Sequence, residues 1–210
     1  MNRFLKRAWA EIDLDALEHN YNEIKKLAKG KDILAVVKAN AYGHDDKAVC
    51  LKLQELGVKY YGVSNLWEGE KLRQHGITGT ILTFGYTDED YFDELLEYGI
   101  TQTAGSVQYA KQLSDYAVSK GVKLPVHIKV NTGMTRVGID SQQEMLDIIA
   151  MPGLDCKAAY THFAAADSLD PSDVEYTDRQ QEKLMKIAKD KGLLIHSQNS
   201  GGIIYHGDFG

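Results

Sequence analysis

Cysteine is scarce in this sequence, and no long hydrophobic run is present. The two cysteines, Cys50 and Cys156, stand far apart and form no CxxC pair. Their number and spacing argue against a disulfide scaffold and a zinc site, and favour a reducing compartment. No apolar run approaches the roughly 20 residues that a membrane span needs, and the amino terminus lacks the apolar core of a signal peptide. We therefore expect a cytoplasmic protein with no membrane partner and no metal ligands.

An excess of positive charge is also missing. The formal net charge is -6, and lysine and arginine are scattered among aspartate and glutamate. Without a basic face the chain offers no surface for a phosphate backbone, so we expect no nucleic-acid partner. The hydrophobic share, 43% of 210 residues, is sufficient for a sizeable core. Since no Pro-rich or Ser-rich linker divides the chain, we predict one domain over residues 1–210.

Glycines mark a regular alternation of helices and strands. Each of seven glycines stands where a helical apolar pattern ends and a short apolar strand begins: Gly30, Gly57, Gly76, Gly99, Gly121, Gly153 and Gly192. The predicted strands are 33–37, 60–63, 79–83, 100–103, 126–130, 158–161 and 193–196. Strict alternation predicts an α/β fold with a parallel sheet, and strands this short and numerous favour a TIM (β/α)8-type barrel over an open sheet.

A complete barrel needs eight strands, and this pattern supplies about seven. We expect a fragment, truncated before the last strand, whose open edge leaves backbone groups unpaired. Such an edge favours self-association, pairing across the gap, or local disorder near residues 203–210.

The starts of several helices carry their own signals. Apolar residues at helical spacing from Leu14 to Leu27 predict a first helix that ends at Gly30, with Asp15 and Glu18 as a capping box at its start. The other predicted N-caps are Asn65, Thr87, Ser106 and Ser141, the last forming a capping box with Glu144.

A lysine, Lys38, ends the first predicted strand within the string VVKANAYGH at residues 36–44. Active sites of α/β barrels lie at the carboxyl ends of the strands, where a desolvated lysine can have a lowered pKa and form a Schiff base. Taken alone, a lysine at this place is more often part of an ordinary solvated salt bridge.

Three later strings also place polar residues at the ends of predicted strands. VHIKVNTGMTRVG at 126–138 contains Lys129 and presents Arg136, either an anion ligand or a solvated arginine. AYTHFAAAD at 159–167 contains His162, and a lone histidine is more often structural. HSQNSGG at 196–202 contains Asn199, Ser200 and Gly201, whose backbone N–H groups and hydroxyl suit a phosphate, although a Gly-Gly pair can also be only a turn.

Together the four strings resemble those of the alanine racemase family, whose signature around the lysine that binds pyridoxal-5'-phosphate (PLP) is similar to KANAYGH. The resemblance covers nearly the whole chain, including residues 8–25 and 62–73. It implies that Lys38 forms the Schiff base with PLP and that Arg136 holds the phenolic oxygen. By the same resemblance Lys129, a lysine often carbamylated in the family, orients Arg136, and His162 lies beside the pyridine ring. The remaining implied roles are a phosphate site of Tyr42, Asn199, Ser200 and Gly201, and a supporting position for His196.

The resemblance further implies a two-domain, homodimeric parent enzyme that interconverts L- and D-alanine for peptidoglycan, with alanine as its small-molecule substrate. In the family a tyrosine from the partner's carboxyl-terminal domain is the second catalytic base, and an arginine on the last barrel strand pairs with the pyridine nitrogen. Neither is found in these 210 residues, so we expect the chain alone to racemise poorly.

Three alternatives remain open. The first is a serine/alanine racemase of the vancomycin-resistance type, which normally follows a membrane domain. The second is a non-catalytic PLP-binding homeostasis protein, and the third is an aldolase-like barrel in which Lys38 forms a Schiff base without PLP.

The chain also departs from the family pattern at three positions. Asp45 and Thr135 stand where the family commonly has glycine, and Asn131 takes a position that is more often aspartate. None of these departures removes a chemical group that the implied reaction needs.

Overall fold

A parallel sheet of seven strands forms the centre of the molecule. The computed structural model describes residues 8–207 and 209. The strands are β1 (Leu34–Val36), β2 (Tyr60–Val63), β3 (Thr80–Thr83), β4 (Ile100–Ala104), β5 (Leu124–Lys129), β6 (Leu154–Tyr160) and β7 (Leu194–His196). Strands that follow one another in the chain are neighbours in the sheet, and every pair is parallel. The predicted α/β barrel-type fold with seven strands is therefore confirmed.

Helices connect the strands. They are α1 (Leu14–Leu27), α2 (Lys38–Gly43), α3 (Asp46–Glu55), α4 (Leu66–Gln74), a 3-10 helix (Glu89–Tyr91), α5 (Phe92–Glu97), α6 (Val107–Ser119), α7 (Gln142–Ile149), α8 (Pro171–Ala188) and α9 (Ser200–Tyr205). None of the helices in the described part of the chain is both long and apolar enough to cross a bilayer.

The core lies between the middle strands and their helices. All five residues of β4 are buried, and Leu113 of α6 and Ile148 of α7 are fully buried against the sheet. Burial of such aliphatic side chains contributes roughly 1.5–3 kcal/mol each to stability. The middle strands and the helices packed against them form a well-packed support for the carboxyl ends of the strands.

The two ends of the sheet are less buried. Val36 of β1 is 39% exposed and Leu194 of β7 is 55% exposed. Helices α1 and α9 nevertheless contact one another, so the sheet curls and its two ends approach. Residues 208 and 210, which belong to the segment for which we predict local disorder, lie outside the described residues. Self-association stays a prediction.

The helix starts confirm some of the predicted caps and correct two. Asn65, Ser106 and Ser141 cap α4, α6 and α7, and Glu144 completes the predicted capping box. Asp15 is not the cap of α1, because Asp13 has the extended backbone and its carboxylate accepts from the N–H groups of Asp15 and Ala16.

The second correction concerns Thr87. Its hydroxyl is buried and donates to Oε1 of Gln102 over 2.8 Å, so it is not available to cap a helix. Asp88 caps the 3-10 helix instead. Strand β6 also begins four residues earlier than predicted, at Leu154.

Candidate active site

Lys38 is followed by one turn of left-handed helix. Residues 39–42 have φ between 52° and 56° and ψ between 35° and 50°. Each left-handed non-glycine residue costs roughly 1–2 kcal/mol, so the turn needs support from the rest of the fold. Glu68 Oε1 accepts from Ala39 N at 2.8 Å, and Asn40 Oδ1 accepts from Asp46 N at 3.1 Å. Tertiary hydrogen bonds therefore hold the backbone immediately after Lys38.

Within this turn Tyr42 points outward, with 58% of its surface exposed. Its ring centroid lies 5.9 Å from Nζ of Lys38, which is itself only partly buried. Two of the residues assigned by resemblance are thus neighbours at the carboxyl end of β1.

Asp45, the first departure from the family pattern, lies directly after this turn. Its φ is 70°, a value that glycine adopts without strain. The aspartate accepts from Ala48 N at 3.0 Å and so caps α3. A cap of this type contributes roughly 1 kcal/mol, which offsets the backbone strain of a non-glycine residue.

The loop after β5 presents Arg136. The loop is closed at its base, where Ile139 N donates to Lys129 O and Asn131 N donates to Ile139 O, both at 2.9 Å. Asn131 Oδ1 accepts from Thr135 N at 3.0 Å, and its Nδ2 donates to Asp140 Oδ1 at 3.0 Å. Arg136 itself is exposed. The amide of Asn131, the second departure, therefore shapes the loop that carries Arg136.

Thr135, the third departure, has φ 52° directly before Arg136. A β-branched residue is strained in this region of backbone space, where the family's glycine would not be.

Lys129 lies at the carboxyl end of β5 and is only 7% exposed. Its ammonium donates to Val130 O at 3.1 Å and to Thr161 Oγ1 at 3.4 Å. Burial, together with the positive charge of Arg136, lowers the pKa of Lys129 to about 8.

His162 lies just past the end of β6, where several positive charges act on it. Burial lowers its pKa, and the charges of Lys129, Arg136 and Lys38 lower it further. A neutral imidazole is therefore favoured. Lys38 follows β1, Lys129 ends β5, and Arg136 lies in the loop after β5. The fold therefore places these three cations and His162 at the same edge of the sheet. We call these four residues the neighbourhood of His162.

A buried aromatic group beneath this neighbourhood was missed by the sequence analysis. The Tyr160 ring lies 5.3 Å from Lys129 Nζ and stacks on His196, with ring centroids 4.7 Å apart. Its hydroxyl is 2.8 Å from Thr103 Oγ1. Tyr160 stands two residues before His162 in the string already singled out, so period-two alternation along β6 was the signal that could have identified it.

His196 ends β7 and contacts a second buried histidine. Its Nε2 lies 3.1 Å from Nδ1 of His127, so one of the two rings donates and the other accepts. Burial lowers the pKa of His127 to about 4 and, with the charge of His127, that of His196 to about 3. Both rings are neutral at physiological pH, and they contact each other from β5 and β7.

Three of the four predicted phosphate residues, Asn199, Ser200 and Gly201, lie at the start of α9. The fourth, Tyr42, lies in α2. Asn199 caps this helix, its Oδ1 accepting from Gly202 N at 2.9 Å, while Ser200 is exposed. A Cβ at Gly201 would lie 2.8 Å from backbone atoms of Ala166 and Asp167. Only glycine therefore lets this turn pack on the segment that follows His162.

The chain was compared with known proteins. Residues 12–209 match the family model described as alanine racemase, N-terminal domain. An alanine racemase of Clostridium perfringens (strain SM101 / Type A) is 39% identical over 97% of this chain and 55% of its own length. One from Desulforamulus reducens is 38% identical over 93% of this chain and 55% of its own length.

Solved structures give the same result for the fold. Alanine racemase of Clostridium difficile 630 is 34% identical, with a TM-score of 0.87, over 96% of this chain and 55% of that protein. Histidine racemase from Leuconostoc mesenteroides subsp. sake is 28% identical, with a TM-score of 0.83, over 91% of this chain and 53% of that protein. The chain thus spans about half the length of the relatives that it matches. On the family match, the sequence identity and the shared fold, this chain belongs to the alanine racemase N-terminal domain family.

Proposed function

We propose that residues 1–210 are the PLP-binding barrel domain of an amino-acid racemase that acts on alanine. The observation that carries the proposal is the placement of Lys38, Lys129 and His162 at the carboxyl ends of β1, β5 and β6, with Arg136 in the loop after β5. The charge of this neighbourhood fits PLP, whose phosphate and phenolate are anionic. When bound, PLP supplies an electron sink that stabilises the negative charge left on a substrate Cα after its proton is removed.

The residues at the start of α9 also fit the phosphate of the cofactor. The exposed Ser200 hydroxyl and the close-packed Gly201 lie at the start of α9, a place that favours a phosphate. Tyr42 would complete this phosphate site. Asn199 would act indirectly, because its side-chain oxygen already accepts from Gly202 N.

In this proposal Lys38 Nζ would hold the cofactor and, once free and neutral, would take the proton from Cα of the substrate. Arg136 would donate to the cofactor's phenolic oxygen, and His162 would pack against its ring. His196, which is hydrogen-bonded to His127, would have a supporting role. The second base, a tyrosine in the family, would come from the partner subunit of a homodimer, so the 210 residues alone should turn over slowly.

Lys129 would act on Arg136. With a pKa of about 8, roughly one-tenth of Lys129 is neutral near pH 7, and a neutral amine is the form that reacts with CO2. The neutral amine forms an N–C bond to CO2 and releases one proton to solvent. Counted from the ammonium, two protons are released in all, and a cation beside Arg136 becomes a carbamate anion. Attraction would then replace the present repulsion and would orient the guanidinium.

The test follows proton removal directly. The purified 210-residue chain, with PLP added, should develop a visible absorption band and should exchange the Cα proton of L- or D-alanine, whichever enantiomer presents that proton to Lys38, for deuterium in heavy water, as followed by NMR. Exchange of alanine in preference to serine and histidine supports an alanine racemase, and a preference for serine supports the first alternative. A visible band without any exchange supports the cofactor-supply alternative, and no visible band contradicts a PLP-dependent function.

If this function is right, the wider expectations are those of the family. The parent would be a cytoplasmic homodimer that supplies D-alanine for peptidoglycan, with no nucleic-acid partner.

A further inference from the structure

One carboxylate, that of Glu68 in α4, connects two strand ends. Glu68 Oε1 accepts from Ala39 N at 2.8 Å, directly after Lys38. Glu68 Oε2 accepts from both the N–H and the hydroxyl of Ser64, each at 2.7 Å, at the end of β2. Glu68 N in turn donates to the capping oxygen of Asn65 at 3.0 Å, which fixes the start of the helix that carries it.

The bond to Ala39 N acts on Lys38 through the backbone. That N–H belongs to the peptide group that joins Lys38 to Ala39, so its direction sets ψ of Lys38. Since Ala39 is the first of four left-handed residues, the backbone would relax away from this conformation without support. Through this hydrogen bond, Glu68 fixes the backbone conformation from which the Lys38 side chain projects.

A second set of polar contacts links helix α4 to the left-handed turn. Asn40 Oδ1 accepts from Asp46 N at 3.1 Å, and the buried Asp46 carboxylate lies 2.8 Å from Lys71 Nζ and 3.5 Å from His75 Nε2. Positions 68, 71 and 75 recur at helical spacing, so these side chains share one face. This polar face of α4 contacts both the left-handed turn and the start of α3.

We propose that Glu68 is a positioning residue for Lys38, holding the left-handed turn so that the lysine is presented at the carboxyl end of β1. The inference rests on the proposed function for the role of Lys38 as the cofactor's anchor. The orientation of Lys38 itself can be measured without cofactor.

Glu68→Gln is the decisive substitution. Glutamine keeps one acceptor oxygen and places an NH2 group against an N–H donor. Ser64 offers two donors and Ala39 only one, so we expect the remaining oxygen to stay on Ser64 and the Ala39 bond to be lost. Ser64→Ala is the matched control, because it removes the hydroxyl bond to the same carboxylate and the bond that this hydroxyl accepts from Asn65 Nδ2, and leaves the Ala39 bond in place.

The first readout needs no cofactor. Trinitrobenzenesulfonate labels accessible amines, and peptide mapping gives the labelling rate of Lys38 relative to Lys25, an exposed lysine on α1. We expect Glu68→Gln to change this ratio and Ser64→Ala to leave it at the wild-type value. An unchanged ratio in Glu68→Gln overturns the proposal.

The second readout is PLP affinity, measured from the visible band in the full 210-residue chain. We expect Glu68→Gln to weaken binding about tenfold, as the loss of one charge-assisted hydrogen bond would. If Glu68→Gln and Ser64→Ala lower thermal stability alike and share one affinity, the carboxylate is merely structural and the proposal fails. If the wild type develops no visible band, the proposed function fails, while the labelling ratio still decides the role of Glu68.

Discussion

Lys38 and Lys129 are both lysines at the carboxyl ends of strands, yet their surroundings differ. Lys129 is buried, donates to Val130 O and Thr161 Oγ1, and lies over the Tyr160 ring. Lys38 is only partly buried, and the strain is in the backbone that follows it. A lysine at the end of a strand can therefore be held in two ways. Hydrogen bonds can fix its ammonium group, as in Lys129. Alternatively, hydrogen bonds can fix the adjacent main chain and leave the ammonium group free to react, as in Lys38. We assign the reacting role to the lysine that is presented.

The largest effect should come from removing each lysine in turn. Lys38→Ala should abolish the visible PLP band and the Cα exchange of alanine, because the nucleophilic amine is gone. Lys129→Ala should weaken PLP binding but retain a band, since Lys129 would act only through Arg136. Absorption titrations of both variants measure this contrast, and loss of the band in Lys129→Ala with its retention in Lys38→Ala would reverse the assignment.

The second effect is a pH dependence of stability. Burial lowers the pKa of Lys129 from 10.5 to about 8, so the unfolded chain binds more protons between these values. Stability from this group is present above pH 10.5 and is lost as pH falls to 8. Lys129→Met should therefore raise the free energy of unfolding by up to about 3 kcal/mol below pH 8, and the gain should shrink as pH rises from 8 to 10.5.

Denaturant titrations across this pH range measure the effect. Lys111→Met is the control, because Lys111 is exposed and pairs with Asp115 on the surface. A gain that is the same at every pH for Lys129→Met would mean that its amine is not desolvated.

The third effect concerns the loop that presents Arg136. Asn131→Asp keeps the acceptor for Thr135 N but sets two carboxylates against each other, since Asn131 Nδ2 now donates to Asp140. We expect a loss of about 1 kcal/mol in the free energy of unfolding, and weaker PLP binding. Adding Asp140→Asn should restore both quantities. Purely additive effects in this double-mutant cycle would show that the two residues are not coupled.

The smallest effect is expected at Thr135. Thr135→Gly should relieve the left-handed strain but add freedom to the unfolded chain, for a net gain of about 0.5–1 kcal/mol. Thr135→Ala retains a Cβ at the same φ and should show less of this gain. Thermal unfolding of the two variants decides between them, and a larger gain for alanine would argue against strain at this position.

Much of the fold could be predicted because its signals are local. Glycines that end helices, and N-caps such as Asn65 and Ser106, depend on residues close in sequence. The caps that were wrong, Asp15 and Thr87, failed where a competing aspartate or a buried tertiary hydrogen bond decided the outcome.

The candidate site was only partly predictable. The sequence strings gave Lys38, Lys129, Arg136 and His162, which the fold brings into one neighbourhood. The left-handed turn after Lys38 could not be predicted, because it depends on Glu68, which lies 29 residues from Ala39 in sequence. The packing of Tyr160 between Lys129 and His196 likewise needs three strands to be placed side by side.

The most direct test of the difference between the two lysines is to find which one PLP attaches to. The purified chain is incubated with PLP, reduced with borohydride and digested, and the labelled peptide is sequenced by mass spectrometry. We predict the label on Lys38, with Lys129 unmodified. A label on Lys129, or one spread over the surface lysines, would contradict the account.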